Sequence, residues 1–444
     1  MSLFDFSPSS FTLAGRRVHY AWVIVVMAVL LRLTSSAMRM AASVFVPFLA
    51  DAQRGFGWSY GAIGLAFSLQ WVFSGLFGPV AGWLGDRYGI RRTMLLGALL
   101  FVCGMLLTGT MDHLWQFYLY FGIILSGSMA IFGVPLMAAV STWFDKNLGV
   151  GLGALQASQG LGTVIAIPLV VVLLDRLGLP WTFWGPGIVG GVLLLAVISK
   201  FHNEPGELGL RPLGAAEDQP IRRVYQGDVA KTRTKVFLRQ AQRKNTFWNL
   251  IGIHFWGCVA HNIVLVFLVA MAIERGVAEG VAAGLVATLF AVSTTTRFVV
   301  PIVADRTGSK GVMGLCFFLQ TAPVLMLFVA HDAWFFYLFA VVYGVGFGGE
   351  MSAFPIINRQ YFGNAPIGTA YGWQMLGSGL GMAAGAWGGG VIWDLTGYEG
   401  IVALSFATSL LGVLSILALP TTSRFLIPDW EQALPPAARS SPAP

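Results

Sequence analysis

Long apolar runs separated by short polar loops fill almost the whole chain. About twelve such runs, each of about 20 residues, are long enough to cross a hydrocarbon core of about 30 Å. One long polar interruption, from Phe201 to Thr246, divides them six and six. The pattern predicts an all-α membrane protein of twelve transmembrane helices in two pseudo-symmetric six-helix bundles. A short segment (1–19) precedes the first bundle (20–200); a linker (201–246) leads to the second (247–420), and a tail (421–444) with a disordered end follows.

Individual spans follow from where the apolar runs stop. Helix 1 is expected from about Tyr20 to Phe48, helix 2 from about Ser59 to Ala81, helix 4 from about Leu114 to Val140 and helix 5 from about Leu148 to Leu174. In the second half, helix 7 is expected from about Phe247 to Ile273, helix 8 from about Val281 to Val303 and helix 10 from about Trp334 to Ile357. Helix 11 should open at Asn364-Ala365-Pro366, and its glycines at 377, 381, 385 and 389 form a close-packing ladder. Within the linker, Lys231 to Lys244 reads as a short interfacial helix whose Val236, Phe237 and Leu238 touch lipid headgroups.

One polar knot stands out between helices 2 and 3: Gly82-Trp83-Leu84-Gly85-Asp86-Arg87-Tyr88-Gly89-Ile90-Arg91-Arg92. About 220 residues later comes a degenerate echo, Val303-Ala304-Asp305-Arg306-Thr307-Gly308-Ser309-Lys310, again between two apolar runs. The chain therefore reads as a duplicated unit with this loop as the landmark of each half.

Composition agrees with the pattern: 56% of residues are hydrophobic and 11% charged, against roughly 25% charged in soluble domains. The net charge of +7 would suit a nucleic-acid partner, but the distribution of the charge argues otherwise. With the N-terminus inside, about 21 of the 27 Lys and Arg fall in cytoplasmic segments and about three outside. Both termini and the linker are expected in the cytoplasm, and the bilayer, not nucleic acid, explains the charge. Cys103, Cys258 and Cys316 lie in apolar runs without CxxC spacing, so neither a disulfide framework nor a zinc site is expected.

The chemistry sits in the few polar residues inside the spans. Arg32 and Arg39 on helix 1, Arg297 on helix 8 and the single acid Glu350 on helix 10 are ionisable groups in hydrocarbon. Three such arginines would burden insertion by about 8–10 kcal/mol in total without partners. An excess of buried positive charge makes a permeating anion the natural partner, because a guanidinium fork matches a carboxylate. Arg297 and Glu350 lie at similar depth and are expected to pair, with Glu350 releasing Arg297 to substrate in another state. Glu350, His261 and His254 are the proton-coupling candidates. His254 and His261 are two helical turns apart, too far to share a metal ion, so no metal is expected. Tyr118, Gln156, Gln159, Tyr371 and Gln374 are further substrate-orienting candidates. No GxxxxGK[ST] loop is present, which argues against ATP as the energy source. No cofactor is expected, nor an enzyme, since neither a nucleophile–base pair nor a metal cluster is visible.

The loop Gly82-x-Leu84-Gly85-Asp86-Arg87-x-Gly89-x-Arg91-Arg92 is similar to the signature between helices 2 and 3 of the major facilitator superfamily, and the chain resembles that family from Tyr20 to Pro420. Ile90, the segment Trp143-Phe144-Asp145-Lys146 before Leu148-Gly149-x-Gly151, and the run Glu204 to Pro212 resemble the branch of monocarboxylate porters and oxalate:formate exchangers, the last in its bacterial members. Arg297 sits where that branch keeps a substrate-binding arginine. The resemblance implies alternating access of two bundles, with Gly82, Asp86, Arg87, Gly89, Arg91 and Arg92, and in the second half Asp305 and Arg306, as gating residues. It departs from the branch at Ser293, where monocarboxylate porters have Asp, and on helix 11, where Tyr371 to Trp393 lacks the lysine of oxalate exchangers.

The resulting expectation is a monomeric secondary transporter of a small organic anion, a monocarboxylate first, driven by proton symport or anion exchange in a bacterial inner membrane. The alternatives are a proton-coupled multidrug or metabolite efflux pump and a non-transporting membrane sensor.

Overall fold

The computed structural model describes residues 6–7, 10–13, 16–40, 45, 48–53, 55–217, 225 and 227–439. Ahead of the membrane region, Phe6–Ser7, Ser10–Leu13 and Arg16–His19 pair as a small antiparallel sheet that no sequence pattern predicted. Helix 1 is Tyr20–Met40; the rest of its expected length lies partly outside the described residues. Helix 2 is Tyr60–Tyr88, helix 3 Ile90–Gly109 and helix 4 Leu114–Trp143, the last with a π-turn over Tyr118–Ile124. Helices 5 and 6 share the stretch Leu148–Ser199, broken at Gly178.

The second half repeats the plan: helix 7 Asn245–Glu274, helix 8 Glu279–Thr307, helix 9 Ser309–Val329 and helix 10 Ala333–Phe362. Helices 11 and 12 share Gly368–Leu417, broken at Gly397. This is the all-α, two-bundle architecture the apolar runs predicted.

Two boundaries differ from expectation for one reason. The charged knot is not a loop beyond helix 2: the helix runs on to Tyr88, and Asp86 and Arg87 belong to its last turn. The connection to helix 3 is Gly89 alone, at φ 87°, a conformation that costs a side-chain-bearing residue dearly. Helix 8 likewise runs on to Thr307 and turns at Gly308, φ 96°. Helices 5–6 and 11–12 bend at Gly178, φ 75°, and Gly397, φ 69°. These landmarks keep one offset of 219 residues, from Gly89 to Gly308, Gly178 to Gly397 and Asp86 to Asp305.

The bundles meet along two glycine seams. Between helices 2 and 11, Gly82 faces Gly368, Gly78 faces Gly372 and Gly75 faces Gly379; a Cβ on Gly75 would come within 2.9 Å of the Gly379 backbone. Between helices 5 and 8, Gly149 packs on Pro301, and a Cβ on Gly153 would lie 2.5 Å from the Phe298 carbonyl. Absence of side chains lets the backbones touch, which substitutes dispersion for a hydrophobic drive that lipid does not supply.

The linker helix spans Gly227–Gln242 and does not reach for lipid with Phe237. That ring is buried against Phe362 and Trp430. Arg233 lies over the Tyr225 and Trp430 rings and pairs with Glu431. The end of the tail, expected to be disordered from Pro435 onward, therefore packs as far as Arg439, because Ala438 follows Trp430 and Leu434 into buried positions beside the linker helix.

Candidate functional site

The seams frame a central cavity of about 160 Å³ between the bundles. Its walls come from both halves: Arg32, Gln156 and Gln159 from the first, His261, Arg297 and Tyr371 from the second. No Asp or Glu lines it among the described residues. Helices 1 and 8 bring their arginines here because polar side chains on otherwise apolar helices are driven off the lipid face.

Arg297 is 9% exposed. Its Nη1 donates to Gln159 Oε1 at 3.3 Å, a bond between the bundles. The guanidinium carbon stands 5.0 Å from the centre of the Phe347 ring, a cation–π contact that shields one face of the charge. On the opposite wall, Arg32 Nη1 donates to the Phe132 carbonyl at 3.0 Å, and its buried Nε has no partner. Gln156 Nε2 donates to the Met351 carbonyl at 3.2 Å, again across the bundles.

The expected Arg297–Glu350 pair is not formed. Glu350, fully buried, does not line the cavity; its Oε2 accepts from Gln320 Nε2 at 2.7 Å and lies 2.9 Å from His261 Nδ1. Depth along the helices had suggested the pair, but the carboxylate turns toward helices 7 and 9, away from helix 8. Its Oε1 is buried with no partner and presses on Gly257, where a Cβ would overlap it. Glu350 is thus partnered by an imidazole and an amide and not by Arg297, and Gln320, a lone amide in an apolar run, is the residue that sequence reasoning missed. Cys258, also on helix 7, joins this group: its sulfur, a His261 nitrogen and a Glu350 oxygen lie within 4.8 Å of one another.

The remaining expected residues divide. His261 lines the cavity, with Nε2 at 3.0 Å from Met382 Sδ. His254 does not: its ring stacks on Phe354 at 4.0 Å, and its Nε2 faces Met351 Sδ at 3.2 Å. Gln374 is not in the cavity either. It is spent on a reciprocal pair of 2.8 Å bonds with Asn358, tying helix 11 to helix 10. Tyr118 is half-buried near the start of helix 4 and is not among the lining residues. Arg39 lies near the end of helix 1, where no side chain is described.

On the linker side both seams end in a carboxylate on a helix N-terminus. Asp86 accepts from Thr369 N at 2.8 Å and Thr369 Oγ1 at 2.7 Å, at the start of helix 11. Asp305 accepts from Gly149 N at 3.0 Å, at the start of helix 5. Both use the partial positive charge and free N–H groups of a helix end. Arg359 also joins Asp145 across the bundles on this side, at 3.2 Å. Arg87 lies over the Trp83 and Tyr88 rings, Arg91 donates to the Ser199 carbonyl, and Arg92 and Arg306 are exposed. On this side the Asp86, Asp305 and Arg359 contacts join the two bundles.

A family model described as Major Facilitator Superfamily matches residues 30–299 and 258–438. Among curated proteins, the oxalate:formate antiporter of Oxalobacter formigenes is 25% identical over 401 residues, spanning 87% of this chain and 90% of its own. The uncharacterized MFS-type transporter YhjX of Escherichia coli (strain K12) is 24% identical over 321 residues, 72% of this chain and 76% of its own. Among solved structures, the proton:xylose symporter XylE bound to 6-bromo-6-deoxy-D-glucose superposes with a TM-score of 0.71 at 14% identity, covering 91% of this chain and 96% of that one. FucP in the outward conformation gives 0.65 at 15% identity, over 89% and 97%.

Proposed function

We propose that this chain, which belongs to the Major Facilitator Superfamily, moves a small organic anion across the membrane by alternating access of its two bundles. Membership of the family makes the chain a multi-pass membrane transporter. The observation that carries the anion reading is Arg297: a buried guanidinium on the wall of a cavity that no acid lines among the described residues, held by a neutral amide. A fixed cation in low dielectric attracts an anion far more strongly than it would in water. A carboxylate can take the fork from Gln159 without having to displace a competing acid. The oxalate:formate antiporter's similarity over most of both chains supports the same class of cargo.

A cavity of about 160 Å³ favours a small occupant over the drug-sized molecules that fill pockets of roughly 300–1,000 Å³. A monocarboxylate is the first choice, with Arg297, Arg32, Gln156, Gln159 and Tyr371 as its contacts. The positive-inside asymmetry supports placing the linker side in the cytoplasm, which makes Asp86, Asp305 and the Arg359–Asp145 pair the cytoplasmic latch. The gradient that drives transport is one of protons or of a counter-anion.

The test is counterflow in proteoliposomes with a panel of mono- and dicarboxylates at two pH values. Saturable exchange of a short monocarboxylate, lost in Arg297→Gln, is the expected result. Uptake of cationic or neutral amphiphiles, with carboxylates ignored, would overturn the reading. Exchange that needs an anion inside the vesicle identifies the antiport mode; uptake driven by an imposed pH gradient alone identifies symport.

A further inference from the structure

We propose that Cys258, His261 and Glu350 form a binding site for a thiophilic divalent cation, with Zn²⁺ as the physiological size and charge. The inference rests on side chains other than Arg297 and is independent of the anion reading. The three donor atoms, a thiol sulfur, an imidazole nitrogen and a carboxylate oxygen, come from helices 7 and 10 and lie within 4.8 Å of one another. Tetrahedral zinc, with bonds of about 2.0–2.3 Å, needs donor separations of about 3.3–3.6 Å. The longest gap closes by about 1 Å, within reach of side-chain rotation.

The second observation is the carboxylate itself. Glu350 is fully buried, and its Oε1 has no hydrogen-bond partner. Helix 7 makes room for that oxygen with Gly257, where any side chain would collide with it. A buried, unpaired carboxylate oxygen is expensive, and a cation beside it removes the cost. Charge closes as well: Zn²⁺ with one thiolate, one carboxylate and one neutral imidazole is neutral overall, which suits a site in hydrocarbon. In binding, the Cys258 S–H bond breaks, the Zn–S bond forms and the proton leaves to solvent. Gln320, 2.7 Å from Oε2, orients the carboxylate as an outer hydrogen-bond donor.

Access is provided by the cavity. His261, Met382 and Ser378 all line it, and the Ser378 hydroxyl is 3.1 Å from the Cys258 sulfur. An ion entering with the cavity water meets the thiol past that hydroxyl, which leaves a fourth coordination position for water. Since the ion ties helix 7 to helix 10, an occupied site stiffens the second bundle and slows the transport cycle.

The test uses the full-length protein in detergent, stripped with a chelator and titrated with Cd²⁺ as a spectroscopic probe. The expected result is one equivalent bound, with a thiolate-to-cadmium charge-transfer band in the ultraviolet. Cys258→Ser should abolish the band and weaken binding at least about tenfold, while Cys316→Ser and Arg297→Gln retain both. In proteoliposomes, Zn²⁺ should slow uptake by the unmodified protein and spare Cys258→Ser. A protein that melts cooperatively yet shows no band overturns the proposal, as does a band that persists in both Cys258→Ser and Cys258→Ala.

Discussion

The two halves share a frame but not a chemistry. At the common offset of 219 residues, Gly149 and Gly153 on helix 5 correspond to Gly368 and Gly372 on helix 11, and each pair packs on the other bundle. The polar residues in the middle of the spans follow no such rule. Glu350 corresponds to Ile131 and Gln320 to Phe101, both buried apolar residues, and Arg297 corresponds to Gly78. At these positions the first half keeps buried apolar residues, while the second has gathered a carboxylate, an imidazole and an amide into one cluster. The seams differ accordingly. The helix 2–11 seam is glycine on glycine, whereas the helix 5–8 seam opens above Gly153 to admit Arg297 and Gln159. Duplication supplies the frame; residues that differ between the copies, drawn from both, line the cavity.

That asymmetry predicts where substitutions hurt most. Arg297→Gln should cause the largest loss, about 2–5 kcal/mol of substrate affinity, or at least about 30-fold in counterflow. Arg32→Gln on the other wall should lose less, because its Nη1 already rests on the Phe132 carbonyl. Equal losses would make the cavity symmetric and erase the contrast.

The seams should respond alike where the arginines do not. Gly372→Val and Gly153→Val each drive a side chain into backbone across the bundle interface, and overpacking costs about 1–3 kcal/mol. Thermal melts in detergent should fall for both by a similar amount. A large drop for only one would show that a single seam holds the bundles together.

A smaller and graded effect is expected at the latches. Asp86 accepts two hydrogen bonds from Thr369, while Asp305 accepts one from Gly149. Asp86→Asn should therefore slow transport more than Asp305→Asn, with a difference of about 1 kcal/mol, and neither should weaken substrate binding. Equal losses of rate and affinity would remove both residues from gating. Tyr118→Phe marks the floor: away from the cavity lining, it should change uptake less than about twofold.

Hydropathy alone indicated an all-α membrane protein, since a bilayer leaves few alternatives to a run of about 20 apolar residues, but not where helices 2 and 8 end, which Gly89 and Gly308 decide. Sequence also named Arg297, Arg32, His261, Gln156, Gln159 and Tyr371, all of which reach the cavity, because polar side chains in such runs are few. Which of them meet was decided only in three dimensions. Depth along a helix can be counted from sequence, but the direction a side chain points around the axis depends on how neighbouring helices are rotated and crossed. For that reason Glu350 turned from Arg297 to His261 and Gln320, Gln374 went to Asn358, and Cys258 came to lie beside Glu350, 92 positions away.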